Sequence, residues 1–292
     1  MHTIAFFCDA HILPGFHAAL TSLLVNQHSH SSLHIILFAD RLAKKQKELI
    51  VETFIKNKKL NQTFEIREAP KNMRIPGANA LVGNFTTYGR LFLSDLLPDK
   101  DLVLYLDSDI IINCDIIDVF NKMVGNYTLF VSGVGERNWS LDKKLYQNAK
   151  LKMNGLCFNA GILGVNLKKW REVDGFKKCL DCITLYPNQF LSADQALLNV
   201  IFQNDFFVLP NNINIGAFYS RKVEIISGIY HFIGLPKPWN PFMYKYHKNY
   251  FLWYLYINKS ALKFKILDHF NFIIFLRQLN HYRKILFHKD TG

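Results

Sequence analysis

Two carboxylates one residue apart close an apolar run in the stretch DLVLYLDSDIII. Residues i and i+2 of a strand point to the same side, so Asp107 and Asp109 can both bind one ion. Their hard oxygen ligands suit a divalent metal that neutralises a phosphate-bearing group. The alternative is a pair of solvated loop carboxylates, which is the commoner origin of the D-x-D pattern. The pair therefore indicates a metal site without establishing one.

A mainly parallel sheet with helices on both faces is the scaffold that the hydrophobic pattern predicts. The predicted strands are 3–8, 33–39, 63–67, 102–106 and 127–134, and the predicted helices are 16–25, 42–58, 86–97, 167–185 and 192–202. Thr86 or Thr87 and Ser192 are the expected N-terminal caps of two of these helices. Asp9 and the acidic pair both follow strands, where ligands of open sheets bind, so they point to one crevice.

Composition and charge limit the class of protein. The chain has 292 residues, of which 50% are hydrophobic and 20% are charged, so it fits one large domain with an appendage. The net charge of +12 and a pI of about 9.4 indicate an acidic partner: nucleic acid, an anionic membrane or a phosphorylated substrate. No DNA-binding or RNA-binding motif accompanies the charge, which argues against nucleic acid.

The cysteines and the N-terminus indicate the compartment. Five scattered cysteines do not suggest a disulfide framework, so we expect a reducing environment. The start MHTIAFFCDAHILPG lacks the basic region and cleavage site of a signal peptide, and no apolar run approaches the roughly 18 residues that would span a bilayer. We therefore expect a cytoplasmic protein, peripheral on the inner face of the cell membrane.

Four segments carry a resemblance to a known family: YLDSD, FNAGILGVNLKKW, ADQALLN and HFIGLPKPW. In this order they resemble glycosyltransferase family 8, and within it the bacterial lipopolysaccharide hexosyltransferases, over residues 3 to 240. The resemblance implies a GT-A type α/β fold and transfer of galactose or glucose from a UDP-sugar, with retention of configuration, to a lipopolysaccharide or other lipid-linked saccharide. Two alternatives stay open: a protein or soluble glycan acceptor, and a catalytically silent sugar-nucleotide-binding membrane adaptor. The loops at 137–153 and 211–220 are expected to shape the acceptor pocket.

The resemblance also implies a metal site and a donor site. Asp107, Asp109 and His231 would hold Mn²⁺, with Mg²⁺ as the alternative. The residues implied to bind the UDP-hexose donor are Asp9, Arg90, Asp107, Ser108, Asn159, Ala160, Gly161, Asp194, Gln195, Gly234 and Lys237. After Asp9 the chain departs from the family pattern, because Ala10 and His11 replace acidic and amide residues.

Asp194 and Gln195 are the implied catalytic residues. Asp194 would bind sugar hydroxyls, and Gln195 would lie behind the anomeric carbon. Because an amide is a poor nucleophile, we expect a front-face reaction in which the leaving phosphate takes the proton of the incoming hydroxyl.

Five of the implied site residues also have a plain structural interpretation. Without the resemblance, His231 is a satisfied core or surface histidine, Lys237 a solvated lysine and Arg90 a partner in a structural ion pair. Asp194 and Gln195 could simply cap a helix, but beside the other motifs we prefer the site interpretation.

A basic aromatic segment at 242–292 follows a catalytic domain predicted at 1–241. From Met243 onward, nine Lys or Arg residues stand against two Asp residues, a local balance of +7. On a helical projection one side carries Met243, Tyr246, Tyr250, Trp253, Tyr254 and Ile257, and the opposite side carries Lys245, Lys248 and Lys259. The pattern predicts a helix that lies on an anionic membrane surface, followed by a second helix at 262–287. The alternative is that these aromatic side chains pack on the catalytic domain.

Overall fold

The computed structural model describes residues 1–81 and 83–264. The strands are β1 His2–Cys8, β2 Leu33–Ala39, β3 Gln62–Glu68, β4 Leu102–Leu106, β5 Ile110–Asn113, β6 Leu129–Glu136, β7 Leu156–Asn166, β8 Phe206–Val208, β9 Ile215–Gly216 and β10 Gly228–His231. The α-helices are α1 Leu13–Val25, α2 Lys44–Asn57, α3 Leu93–Leu96, α4 Ile116–Phe120, α5 Lys143–Asn148, α6 Leu167–Glu172, α7 Gly175–Leu185, α8 Asp194–Ile201, α9 Met243–Tyr246 and α10 Tyr250–Ile257. Short 3₁₀ helices lie at Thr86–Phe92, Arg137–Trp139 and Asn211–Ile213.

Seven strands form the central sheet in the order β3–β2–β1–β4–β7–β6–β8. β1 runs parallel to β2 and β4, β2 to β3 and β6 to β8, whereas β7 is antiparallel to both of its neighbours. A smaller sheet has the order β5–β10–β9. The prediction of a mainly parallel central sheet flanked by helices is confirmed.

Helices cover both faces of the central sheet. In β1, Ala5 and Phe7 pack into one hydrophobic cluster and Ile4 and Phe6 into another. Residues of α3, α6, α7 and α8 belong to the first cluster, and residues of α1, α2 and α4 to the second. Because both faces are buried, these strands are nearly continuous apolar runs, which is why the sequence pattern located them well.

Two predicted helices differ from the structure. The predicted helix 167–185 divides into α6 and α7, because Asp174 adopts a left-handed conformation with φ of 51°. The predicted helix 86–97 is a 3₁₀ helix for its first seven residues and continues as the single turn α3.

The predicted helix caps are wrong. Phe85 and Ala193 occupy the cap positions, and neither makes a side-chain capping bond. The Thr86 hydroxyl instead lies 2.9 Å from Asp40 Oδ2, and the Ser192 hydroxyl donates to Asp142. Both hydroxyls therefore connect separate segments of the chain.

The C-terminal stripe predicted to face lipid packs largely on the body of the protein. α9 and α10 are separate helices, and Met243, Trp253 and Ile257 are buried. The Trp253 indole N–H donates to the Pro14 carbonyl at 3.3 Å, so the apolar side of α10 rests on the start of α1. The alternative interpretation is correct for these three residues, because an amphipathic pattern does not reveal which apolar surface it meets.

Of the basic segment 242–292, the described residues include 242–264. Most of the predicted helix 262–287 lies outside the described residues, as do the basic residues from Lys265 onward. Among the helices of residues 1–81 and 83–264, none is both long and apolar enough to cross a membrane.

Candidate functional site

Strand pairing brings Asp107, Asp109 and His231 together. The acidic pair lies between β4 and β5, and His231 ends β10, where it pairs with Ile110 of β5. The ligand atoms of the three side chains lie within 4.8 Å of one another. His231 Nε2 is 3.3 Å from Asp109 Oδ1 and 3.7 Å from Asp107 Oδ2. The three residues predicted to share an ion are therefore adjacent, although 122 positions separate His231 from Asp109 in the printed numbering.

The donor chemistry of this cluster fits a divalent cation. Two carboxylates and one imidazole converge with their free atoms facing one another, and such a mixed oxygen and nitrogen set can hold a divalent metal ion. His231 Nδ1 lies 3.2 Å from Asn214 Oδ1, which leaves Nε2 on the carboxylate side. A side-chain oxygen that fixes the second ring nitrogen is typical of a histidine ligand.

Lys237 balances the charge of the acidic pair. Its ammonium group lies 2.5 Å from Asp109 Oδ2 and also donates to the Phe232 carbonyl. Burial alone would raise the pKa of Asp109, but the charges of Lys237 and His231 outweigh burial and hold that pKa below its ordinary value. Asp109 is therefore an anion that can bind a cation. The interpretation of Lys237 as a solvated lysine is wrong, because its ammonium group is paired with Asp109.

Arg90 connects the acidic pair to Asp194. Its guanidinium lies 2.9 Å from Asp107 Oδ1 and 2.9 Å from Asp194 Oδ2, donates to the Ala160 carbonyl and covers the Tyr105 ring at 4.3 Å. Burial raises the pKa of Asp194 to about 6, with Arg90 opposing the rise and Asp107 adding to it. Arg90 thus makes the structural ion pairs that the alternative interpretation expected, and these pairs lie beside the metal cluster.

A chain of amides joins Gln195 to the histidine. Gln195 Oε1 accepts from Asn159 Nδ2 at 2.9 Å and from the Ala160 N–H at 3.2 Å. Asn159 Oδ1 in turn accepts from Asn214 Nδ2 at 2.9 Å, and Asn214 Oδ1 faces His231 Nδ1. The predicted donor residues of β7 and α8 are therefore linked to the metal cluster through Asn214.

Sequence reasoning missed Asn214 as an individual residue. It was included only in the loop 211–220, because no motif surrounds it. The signal that would have found it is the pairing of β9 with β10, which places Asn214 beside His231. Pairing between two short strands of this kind leaves no recognisable pattern in the sequence.

Asp9 belongs to a second polar cluster, at the ends of β1 and β2. Its Oδ1 accepts from the backbone N–H groups of His11 at 2.8 Å and Ile12 at 3.2 Å, and its Oδ2 accepts from Asn84. Thr86 bridges Asn84 and Asp40. Asp40 and Asn84 were also missed, although Asp40 follows β2 just as Asp9 follows β1.

The other predicted donor residues lie along the same crevice. The Ser108 hydroxyl donates to the Phe7 carbonyl at 2.8 Å and so fastens the acidic turn to β1. The Gly161 carbonyl accepts the Asp107 N–H at 2.7 Å. Gly234 has a φ of +78° and open space beside its Cα, in the loop that carries Lys237.

A cavity of about 340 Å³ opens beside Asn159 and Gln195. The loop 136–142 forms one wall, on which Trp139 is 86% exposed and Leu141 is 79% exposed. Ser192 and Gln195, at the start of α8, also line the cavity. Part of the loop predicted to shape an acceptor pocket thus borders a space of ligand-binding size.

Comparisons with known proteins give the chain its relatives. The family model described as "Glycosyl transferase family 8" matches residues 3–242. The lipopolysaccharide 1,2-glucosyltransferase of Escherichia coli K12 is 25% identical over 252 residues, which are 81% of this chain and 72% of that protein. The glycosyltransferase GlyE of Streptococcus pneumoniae is 30% identical over 178 residues, which are 54% of this chain and 38% of GlyE.

A solved structure has the same fold. The galactosyltransferase LgtC, in complex with donor and acceptor sugar analogues, superposes with a TM-score of 0.74 at 20% identity, over 90% of this chain and 98% of LgtC. The chain therefore has the GT-A type fold of that protein. Some curated relatives are much longer: the chain spans 38% of GlyE and 26% of the probable glycosyl transferase Gly of Streptococcus gordonii.

Proposed function

Because the chain belongs to glycosyltransferase family 8, we propose that it transfers galactose or glucose from a UDP-sugar to a saccharide acceptor, with retention of configuration. The observation that carries the proposal is the convergence of Asp107, Asp109 and His231 within 4.8 Å, beside Arg90 and Lys237. A site of this charge and shape suits a nucleotide diphosphate at the carboxyl ends of parallel strands. The relatives named above act on sugars, as their names say, which supports the same reaction class.

Asp107, Asp109 and His231 would hold the metal, and Mn²⁺ is the ion we propose. When bound, the ion would neutralise the charge that develops on the diphosphate leaving group. Lys237 is placed to add a point charge to the same phosphates, because it already contacts Asp109. Arg90, which is paired with both Asp107 and Asp194, would orient these carboxylates towards the donor.

Gln195 and Asp194 support a front-face reaction. Gln195 presents an amide, which is a poor nucleophile, and its oxygen is already occupied by two N–H donors. The Asp194 carboxylate is paired with Arg90, which suits a group that binds sugar hydroxyls rather than one that attacks carbon. The leaving phosphate would take the proton of the incoming hydroxyl on the same face of the sugar, so no protein base is needed.

The 340 Å³ cavity is our candidate for the acceptor site. It touches Asn159 and Gln195 and so adjoins the proposed donor sugar. Its wall combines an exposed indole with the polar groups of Ser140 and Ser192, the combination that proteins use to bind sugar rings through their apolar faces and hydroxyls.

We propose that the acceptor is lipid-linked, as in lipopolysaccharide, and that the protein is cytoplasmic and peripheral on the inner face of the cell membrane. Support comes from the basic segment 242–292, with its local balance of +7. Since Trp253 is buried, the exposed surface of α10 would face the lipid, where Phe251 is 63% exposed and Tyr254 is 41% exposed near Lys248. Nucleic acid is not a proposed partner.

Sedimentation with vesicles tests the membrane proposal. We expect binding to vesicles that contain phosphatidylglycerol and little binding to pure phosphatidylcholine. The double variant Phe251→Ser and Lys248→Ser should bind less, whereas Leu60→Ser, at a position 92% exposed outside this segment, should bind like the wild type. Equal binding to both kinds of vesicle would contradict an electrostatic role.

Release of UDP tests the reaction itself. The full chain is incubated with UDP-galactose or UDP-glucose, with and without MnCl₂, and UDP is measured over time. We expect metal-dependent release with at least one donor, even with water as the acceptor. A chain that binds UDP but releases none from either donor, with or without a saccharide acceptor, would support the silent adaptor instead.

A further inference from the structure

Asp142 is a buried carboxylate between the cavity wall and the turn that precedes α8. It is 1% exposed. It occupies the position before α5, where an aspartate ordinarily caps a helix, yet its side chain makes no capping bond to α5. Its Oδ1 instead accepts from the backbone N–H groups of Leu191 at 2.8 Å and Ser192 at 3.2 Å, and its Oδ2 accepts the Ser192 hydroxyl.

The turn held in this way has an unusual backbone. Ala193 adopts φ of 53° and ψ of −128°, a region that residues with a Cβ atom seldom occupy. Such a conformation persists only where its surroundings over-determine it, and it is found most often at functional sites. Ala193 is fully buried, and the bonds from Asp142 end at the residue before it. Asp142 is therefore the side chain that fixes the entrance to this strained residue.

The residues directly after Ala193 are Asp194 and Gln195. Gln195 reaches Asn159 and Ala160, and Asp194 reaches Arg90, so the direction in which α8 begins decides where both side chains lie. On the other side, Asp142 belongs to the same loop as Trp139 and Leu141. One carboxylate thus joins the wall of the cavity to the turn that carries the proposed catalytic pair.

We propose that Asp142 is a positioning residue, which holds the Gln195 amide and the Asp194 carboxylate in register with the cavity wall. The inference rests on the proposed hexosyl transfer. Asp142 does not touch the donor in this scheme. It acts through the backbone of Leu191 and Ser192, so its loss should slow the chemical step and leave the binding of UDP intact.

Three variants grade the loss. Ser192→Ala removes the hydroxyl bond alone, Asp142→Asn keeps one oxygen for the two N–H groups, and Asp142→Ala removes all three bonds. The probes are UDP-galactose and UDP-glucose with MnCl₂, with water as the acceptor, and the measured quantities are kcat for UDP release and Kd for UDP. We expect kcat to fall about threefold in the two mild variants and about thirtyfold or more in Asp142→Ala, with Kd unchanged within about twofold.

Asp115 supplies a matched control. Its carboxylate also accepts several backbone N–H bonds, from His28, Ser29 and Ile117, at the end of β5 away from Asp109. Asp115→Ala should lower the melting temperature and leave kcat unchanged, because a purely structural role moves stability alone.

The outcomes are distinguishable. If Asp142→Asn and Ser192→Ala fold and keep the wild-type kcat, or if Asp115→Ala loses kcat as strongly as Asp142→Ala, the positioning role is wrong. The mild variants keep the test valid even if Asp142→Ala does not fold. A wild-type chain that releases no UDP would overturn the proposed function, and this inference with it.

Discussion

The proposed donor side and the proposed acceptor side of the site are built in different ways. On the donor side, charged side chains are buried and bound to one another: Arg90 is 5% exposed and His231 is 4% exposed. On the acceptor side, the wall carries Trp139, which is 86% exposed. Removing one member of a buried ionic network leaves its partners uncompensated, whereas removing an exposed ring forfeits only the contact with a ligand. The structure therefore predicts large effects on one side and small effects on the other.

The largest effect should come from the acidic pair. Asp109→Asn removes a proposed metal ligand and leaves the Lys237 ammonium without its carboxylate partner. A bound metal contributes several kcal/mol to such a reaction, so we expect the rate of UDP release to fall by about a thousandfold or more. Calorimetry should show that the variant no longer binds Mn²⁺.

Asp118→Asn is the control for the acidic pair, because this aspartate is exposed on α4. It should behave like the wild type. If Asp109→Asn keeps metal-dependent turnover, Asp109 is not an essential metal ligand, and the large effect predicted for the donor side is wrong.

A glycine sharpens the same contrast. A Cβ atom on Gly161 would lie 2.2 Å from His231 Cε1 and 2.8 Å from Asp107 Oδ2, so Gly161→Ala must displace both proposed ligands. We expect Mn²⁺ affinity to fall by about 10- to 100-fold, the range found when the supports of metal ligands are disturbed.

Gly135→Ala is the matched control for Gly161→Ala. Gly135 lies on the neighbouring strand β6, and a Cβ atom there would meet nothing within 4 Å. Equal Mn²⁺ affinities in the two variants would show that the close packing around Gly161 does not set the metal site.

Burial and local motifs explain which parts of the fold and of the site could be predicted from the sequence. The central strands were located because both of their faces are buried, and Asp107 and Asp109 could be singled out because they interrupt such a strand. His231, Arg90 and Lys237 came from the resemblance alone, since each has an ordinary structural alternative. The structure brings all five side chains into one cluster of contacts.

The remainder depends on contacts between distant segments. Asn214 joins Asn159 to His231, and Asp142 joins two loops 50 positions apart, but neither lies in a motif. β10 has only four residues and is paired with β5, more than 100 positions earlier. The side of α10 that holds Trp253 was assigned to lipid because periodicity identifies an apolar side without identifying its partner.

An effect of intermediate size should appear in the pH dependence of stability, through the titration of Asp194. Burial raises the pKa of Asp194 to about 6, above the value of about 3.9 expected in the unfolded chain. Between these values the folded state holds a proton that the unfolded state has lost. The stability from this group is therefore complete below about pH 4 and is lost as the pH rises through about 6, by up to about 3 kcal/mol.

Urea unfolding at several pH values checks this sign. As the pH rises from about 4 to about 7, the unfolding free energy of the wild type should fall relative to that of Asp194→Asn. Turnover should change the opposite way, since the ionised carboxylate is the form that pairs with Arg90 and accepts sugar hydroxyls. A difference that does not vary with pH would show that burial does not raise the pKa of Asp194.

The smallest effect should come from the exposed wall. Trp139→Ala removes a ring that we propose stacks on the acceptor, which is worth about 1 kcal/mol, so the KM for a saccharide acceptor should rise roughly fivefold. Turnover with water as the acceptor should not change, because Trp139 contacts none of the donor-side charges, and Trp139→Phe should recover most of the loss.

Fluorescence gives a second measure of the same contact. The other three tryptophans, Trp170, Trp239 and Trp253, are at most 5% exposed, so acrylamide quenching of the wild type reports mainly on Trp139. A bound acceptor should protect that ring from quenching, and the protection should disappear in Trp139→Ala. The proposal is wrong if Trp139→Ala leaves the acceptor KM unchanged and the acceptor does not protect the wild type from quenching. Trp139 would then be an exposed ring without a ligand, and the acceptor would bind at another part of the protein.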